Sequence, residues 1–432
     1  MIVAAYTLPG IHVTDHRVAV PLDWSDEHGP AIEVFARELV DPGRRSDDLP
    51  CLVYLQGGPG GKAPRPVGRT AGGWIDQALQ DHRVILLDQR GTGRSSPVDG
   101  HVMESFATAR EAADFLCHFR ADSIVADAEH LRETVFGGRP WSTLGQSYGG
   151  FLTLTYLSRA PQGLKACLVT GGLASVTPDA AEVYRRTYPR TAEKNRIFRS
   201  RYPDDTATVA RVADLLDAGD VTLPDGDALS VRRLQTLGLD FGMKPGYERM
   251  HWLFDEAFAD ASGERLTDTF LDEVRGRTAF TSNPLFAVMQ ESIYASGAGG
   301  PTAWAAEHER SLRPEFAEDA RPLLFTGEMM YPWMFEEIRS LRPFRAAVEL
   351  LAAREEWPEL YDPERLAAND VPVAAAVYFD DMYVDSGLQL DTAAAVGRLR
   401  TWVTNEYEHD GLAEDGQVFA RLTGTLKEAG EW

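Results

Sequence analysis

The chain has 432 residues, 44% hydrophobic and 25% charged, enough for a large domain with a substantial insertion. Lys and Arg number 43 against 66 Asp and Glu, a formal net charge of −23, which argues against nucleic acid or anionic membrane as partners because both would repel it. Three cysteines (Cys51, Cys117 and Cys167) give no disulfide framework. The N-terminus lacks the basic segment of a signal peptide and no apolar run reaches membrane-spanning length, so the cytoplasm is the expected location.

In chain order, residues 12–20 and 31–40 read as β-strands joined by a polar turn around 26–29. Residues 51–55 form a short apolar run ending in Gln56-Gly57-Gly58-Pro59-Gly60-Gly61. Residues 83–87 form another, ending in Asp88-Gln89-Arg90-Gly91-Thr92-Gly93-Arg94-Ser95-Ser96. Residues 122–136 have helical spacing, with Ile124, Val125, Ala128, Leu131 and Val135 on one face and Asp122 placed to cap. A strand over 141–144 runs into Gly145-Gln146-Ser147-Tyr148-Gly149, a helix follows through Leu157, and 164–169 form a strand ending at Gly171-Gly172. Such apolar strands alternating with amphipathic helices imply a mostly parallel sheet covered on both faces. Residues of roughly 175–368 are helix-rich, charged and aromatic. A buried strand returns over 371–379, a last strand lies at 401–404, and a final helix spans about 414–428.

Gly145-Gln146-Ser147-Tyr148-Gly149 has the form of a nucleophile elbow, a serine on a sharp strand-to-helix turn whose crowded flanks demand small residues. The fold it implies is an α/β-hydrolase: a doubly wound, mostly parallel sheet built from 1–174 and 369–432, interrupted by a helical cap over 175–368. In that fold an acid and then a histidine follow the serine. Of ten histidines only His251, His308 and His409 follow Ser147, and the first two fall in the cap. His409 lies in a loop just after the last strand. The acid should follow the preceding core strand, where Asp380 and Asp381 both stand. Serine needs the imidazole because a free hydroxyl is a poor nucleophile at neutral pH. The tetrahedral oxyanion needs amide donors, expected from the N–H of Tyr148 and from Gly58 or Gly57 in the loop after the third strand read from the sequence. This chemistry calls for no metal or cofactor. Competing motifs fail: Lys62-Ala63 lacks P-loop spacing and a Mg²⁺ ligand, His308-Glu309 has Leu312 where a zincin needs histidine, and Gly297 to Gly300 follows no strand.

The Gly57-to-Gly61 loop, the 88–96 run, Gly145 to Gly150 and Asp380-Asp381-Met382-Tyr383 together resemble the prolyl aminopeptidases, or proline iminopeptidases, in their larger-cap form. The resemblance spans nearly the whole chain. Gln56 departs from it, since smaller relatives carry His there, but the oxyanion donor is backbone. The resemblance implies release of an unblocked N-terminal proline from short peptides and favours Asp381 over Asp380 as the acid. It also implies cap carboxylates that bind the substrate ammonium, carried by position to Glu291 and Glu328. Phe325, Tyr331, Trp333 and Phe335 then either line a slot for the pyrrolidine ring or form the cap core. A capped esterase, a broader aminopeptidase and a non-catalytic binding protein on the same fold are the alternatives. Oligomeric state is not legible in the sequence.

Overall fold

The computed structural model describes residues 1–26, 28–177, 179–259 and 263–432. Residue 27, within the expected 26–29 turn, lies outside the described residues. Nine strands form one sheet: β1 (Ile2–Leu8), β2 (Ile11–Pro21), β3 (Ala31–Val40), β4 (Cys51–Leu55), β5 (Arg83–Asp88), β6 (Trp141–Gln146), β7 (Leu164–Thr170), β8 (Val373–Tyr378) and β9 (Leu399–Thr404). Their spatial order is β1-β2-β3-β5-β4-β6-β7-β8-β9. β1, β2 and β3 pair antiparallel, as do β3 and β5, and every pair from β5 to β9 is parallel. The parallel region is apolar on both sides because helices cover both faces; all six residues of β8 are buried.

β1 was not anticipated. Most of it is exposed on both faces of the sheet edge, so it has no buried stripe for an alternating pattern to announce. It also makes the Gly-rich loop follow the fourth strand rather than the third. Asp122 does not cap: the helix Ala121–Thr134 begins after Arg120, with no side-chain cap bond. The C-terminal helical stretch is two pieces, Gly411–Glu414 and Gln417–Glu428.

The connection between β7 and β8 is helical. Its longest element is the helix Ala180–Arg201, and the described residues contain only isolated bridges there in place of strands. One apolar core runs from the sheet into this connection, joining Val53, Ile85 and Val169 to Tyr184, Leu285 and Met329. A second core on the opposite face packs Leu422 and Leu426 of the C-terminal helix against Leu144, Leu168 and Ala376. Fully burying one such leucine stabilises by about 1.5–3 kcal/mol, and the first core is continuous between the sheet and the helical connection.

Strand register sets the position of the site. Leu55 pairs with Gly145, Gln146 with Thr170, Thr170 with Ala376, and Tyr378 with Thr404. The loops after β4, β6, β8 and β9 therefore emerge together at the carboxyl edge of the parallel strands, where open α/β sheets hold their ligands.

Candidate active site

Ser147 has φ +83° and ψ −115°, a conformation that costs a non-glycine residue about 1–3 kcal/mol and persists only under strong local constraint. The constraint is visible. Ser147 N–H donates to Thr170 O at 3.0 Å, and Gly150 N–H donates to Ser147 O at 2.8 Å. A Cβ on Gly149 would lie 1.9 Å from Leu55 O, and one on Gly145 2.3 Å from Gly149 O. The two glycines flanking the serine are therefore steric necessities, and they are what made the elbow legible. The turn sets Ser147 at the start of the helix Tyr148–Arg159, the end of a helix that favours negative charge.

His409 comes 262 residues later, yet its Nε2 lies 2.8 Å from Ser147 Oγ. Its Nδ1 lies 2.6 Å from Asp381 Oδ2. The other oxygen, Asp381 Oδ1, accepts from the N–H groups of Tyr383 at 2.8 Å and Val384 at 3.2 Å, which locks the carboxylate plane. Asp380 points elsewhere, pairing with Arg190 at 3.1 Å on the surface. Burial alone would push the His409 imidazole pKa down, but the Asp381 charge and hydrogen bond, with Glu328 behind them, leave it raised. The His409 loop is braced from the cap: His409 N–H donates to Gly242 O at 3.0 Å, and buried Lys194 pairs with Glu408 at 2.5 Å. The ring of Tyr383 meets the His409 ring edge-on, 4.9 Å between centroids.

The Gly-rich loop packs directly on the serine. A Cβ on Gly57 would fall 2.9 Å from Ser147 Cβ, and Gly58 has φ +123°. The Gly57 backbone therefore packs against Gln146 and Ser147 at the elbow. The 88–96 run supports the loop, a role the sequence left unassigned. Gln89 Nε2 donates to Gln56 O at 2.7 Å, Asp88 accepts from Ala63 N–H at 3.1 Å, and Arg90 is buried against Asp127 at 2.7 Å. On its other side the loop touches the cap, since a Cβ on Gly60 would lie 2.7 Å from Phe286 N.

That cap segment brings in two carboxylates. Glu291 is 7% exposed, and its Oε1 accepts from Ala306 N–H at 2.9 Å. Ala303 and Trp304 both have positive φ (+50° and +56°), a rare turn for two non-glycine residues. It aims the N–H groups of Trp304 and Ala305 and the Thr302 side chain at the same carboxylate. Glu291 Oε2 has no hydrogen-bond partner among the described residues. Burial raises the Glu291 pKa to about 7, and the Ala306 N–H opposes the rise. Glu328 is half-buried, and its pKa is likewise raised to about 7, chiefly by desolvation; the charge of His409 lowers it and that of Asp381 raises it further, so its carboxyl lies within reach of their charges. A contact from Gln290, a residue the sequence did not single out, draws the Glu328 value down. The aromatic residues weighed for a pyrrolidine slot find partners inside the cap. Phe325 packs with Phe198, Phe241 and Phe254, Tyr331 bonds Tyr188, and Phe335 meets Trp304. Among the described residues no group of His, Cys, Asp or Glu is arranged to hold a metal ion, and no helix is long and apolar enough to cross a membrane.

The sheet order, the strained serine after β6 and the histidine after β9 define an α/β-hydrolase, and residues 50–223 match the alpha/beta hydrolase fold family. A proline iminopeptidase from Aeromonas sobria is 47% identical over 420 residues, covering 96% of this chain and 97% of the relative. One from Aspergillus aculeatus is 32% identical over 425 residues, covering 96% and 93%. The chain belongs to the proline iminopeptidase family. A solved proline iminopeptidase from Mycobacterium smegmatis aligns over 96% of this chain and 99% of its own, at 14% identity and a TM-score of 0.43.

Proposed function

We propose that this protein is a serine exopeptidase that releases an unblocked N-terminal proline from short peptides by acyl transfer to Ser147. His409 takes the Ser147 proton as Oγ attacks the prolyl carbonyl, and Asp381 holds the imidazole in the right tautomer and stabilises its charge. The N–H groups of Tyr148 and of Gly58 or Gly57 receive the oxyanion. The tetrahedral intermediate collapses as His409 hands its proton to the leaving peptide amine, leaving a prolyl ester on Ser147. Water, activated by the same imidazole, then cleaves the ester and restores the serine.

Hydrolase chemistry follows from the Ser147–His409 contact at 2.8 Å; the exopeptidase reading rests on Glu291 and Glu328. A buried glutamate and a half-buried one set in an apolar cap are costly unless a cation joins them, and a substrate ammonium next to the scissile carbonyl is such a cation. Those carboxylates reward a free N-terminus and leave an acylated one without a partner.

The test is a panel of prolyl, alanyl and acetyl-prolyl naphthylamides. The proposal expects prolyl turnover and at least a hundredfold loss on acetylation. Equal turnover of the prolyl and acetyl-prolyl compounds would point instead to a capped esterase or amidase without ammonium recognition. Failure of a fluorophosphonate to label Ser147 would point to a binding protein.

A further inference from the structure

Gln290 precedes Glu291 in the cap segment above the oxyanion loop, and it is 1% exposed. Its side-chain amide lies beside Glu328. Gln290 Oε1 is buried and has no hydrogen-bond partner among the described residues. Its neighbour Glu291 shows the same pattern: Oε1 accepts from Ala306 N–H, and Oε2 is buried and unpartnered. Tyr184 lies near both Glu291 and Glu328, which ties the two carboxylates to one region of the cap.

Buried acceptors left open in this way are expensive unless a ligand fills them. The two glutamates suffice for an N-terminal proline, whose secondary ammonium carries two N–H groups. A primary ammonium carries three. We propose that Gln290 Oε1 is a third acceptor for the substrate's N-terminus and that it admits primary-amine residues such as alanine beside proline. The inference rests on the ammonium-binding reading given above and adds to it the residue that widens specificity. Gln290 acts on the substrate nitrogen, whereas the chemistry at the carbonyl is the same for both substrate classes.

The experiment compares kcat/KM for prolyl, alanyl and N-methylalanyl naphthylamides in the wild type and in Gln290→Met. N-methylalanine keeps the alanine side chain but has the two N–H groups of a secondary ammonium. The wild type should hydrolyse the alanyl substrate. In the variant the alanyl-to-N-methylalanyl ratio and the alanyl-to-prolyl ratio should each fall about 10- to 100-fold, the scale of one hydrogen bond to a charged group. Any disturbance of Glu328 through its lost contact affects all three substrates and cancels in the ratios. Ratios unchanged in the variant would overturn the inference. So would a wild type that hydrolyses the prolyl substrate and not the alanyl one, a result that needs no variant to fold. A wild type inactive on all three unblocked substrates would instead remove the exopeptidase reading beneath it.

Discussion

Glu291→Gln should make the protein less sensitive to alkaline pH. Burial holds the Glu291 carboxyl at about 7 against an ordinary value of 4.5. A difference of that size is equivalent to about 3 kcal/mol. The sign follows from proton counting. Between pH 4.5 and 7 the folded protein keeps a proton here that the unfolded chain has released, so stability falls as pH rises through this window. The contribution is fully present below about 4.5 and is lost once the pH has passed about 7. Roughly three-quarters of it is spent between pH 5 and pH 8. The glutamine cannot ionise and carries no such loss. Urea unfolding at pH 5 and pH 8, monitored by tryptophan fluorescence, should show the wild type losing about 2–3 kcal/mol more than the variant over that interval. Parallel losses would mean that Glu291 is ionised as freely in the fold as in water, and the account of a desolvated carboxylate awaiting a cation would be wrong. The same window predicts that KM for prolyl naphthylamide rises as pH drops below about 7, because protonated Glu291 and Glu328 no longer attract an ammonium.

Asp381→Asn should lower kcat by on the order of 10⁴, by mis-setting the imidazole tautomer, while Asp380→Asn stays within a few-fold because that residue only pairs with Arg190 at the surface. A larger loss at Asp380 would reverse the assignment of the acid. Gly149→Ala should destabilise by about 3 kcal/mol, since its Cβ would lie 1.9 Å from Leu55 O. Gly424→Ala, which meets nothing within 4 Å on the helix Gln417–Glu428, should stabilise by about 0.5–1 kcal/mol. Thermal melts of both variants check the pair, and equal shifts would refute the steric argument. Lys194→Met should destabilise by about 1–3 kcal/mol by stranding Glu408 next to the His409 loop, and Lys194→Met with Glu408→Met should recover most of that loss. A double variant no more stable than the single one would deny the pairing.

How much of this could be read from the chain depended on whether a local rule forced the residue. Gly145 and Gly149 are dictated by backbone contacts below 2.5 Å, so the elbow was plain in the sequence. His409 followed from chain order, because the other histidines after Ser147 precede the last core strand. The choice between Asp380 and Asp381 was not available from pattern alone. It is made by the turn after β8, which gives Asp381 the N–H groups of Tyr383 and Val384 and faces Asp380 outward to Arg190. β1 escaped notice because an edge strand exposed on both faces carries no burial periodicity. Gln290 and the turn at Ala303 and Trp304 were invisible for a different reason. A buried amide is recognised by the partner it lacks, and a left-handed turn made of alanine and tryptophan uses none of the residues that signal such turns. The Gly57-to-Gly61 loop was legible, but its dependence on Gln89 needed the fold, since the two segments lie on neighbouring strands.

The central claim is that Ser147 is the nucleophile in release of N-terminal proline, and Ser147→Ala tests it most directly. With prolyl naphthylamide as substrate and the fold verified by circular dichroism, kcat should drop by on the order of 10⁶. A variant that retained activity within tenfold of the wild type would contradict the account, whatever the geometry around His409 and Asp381.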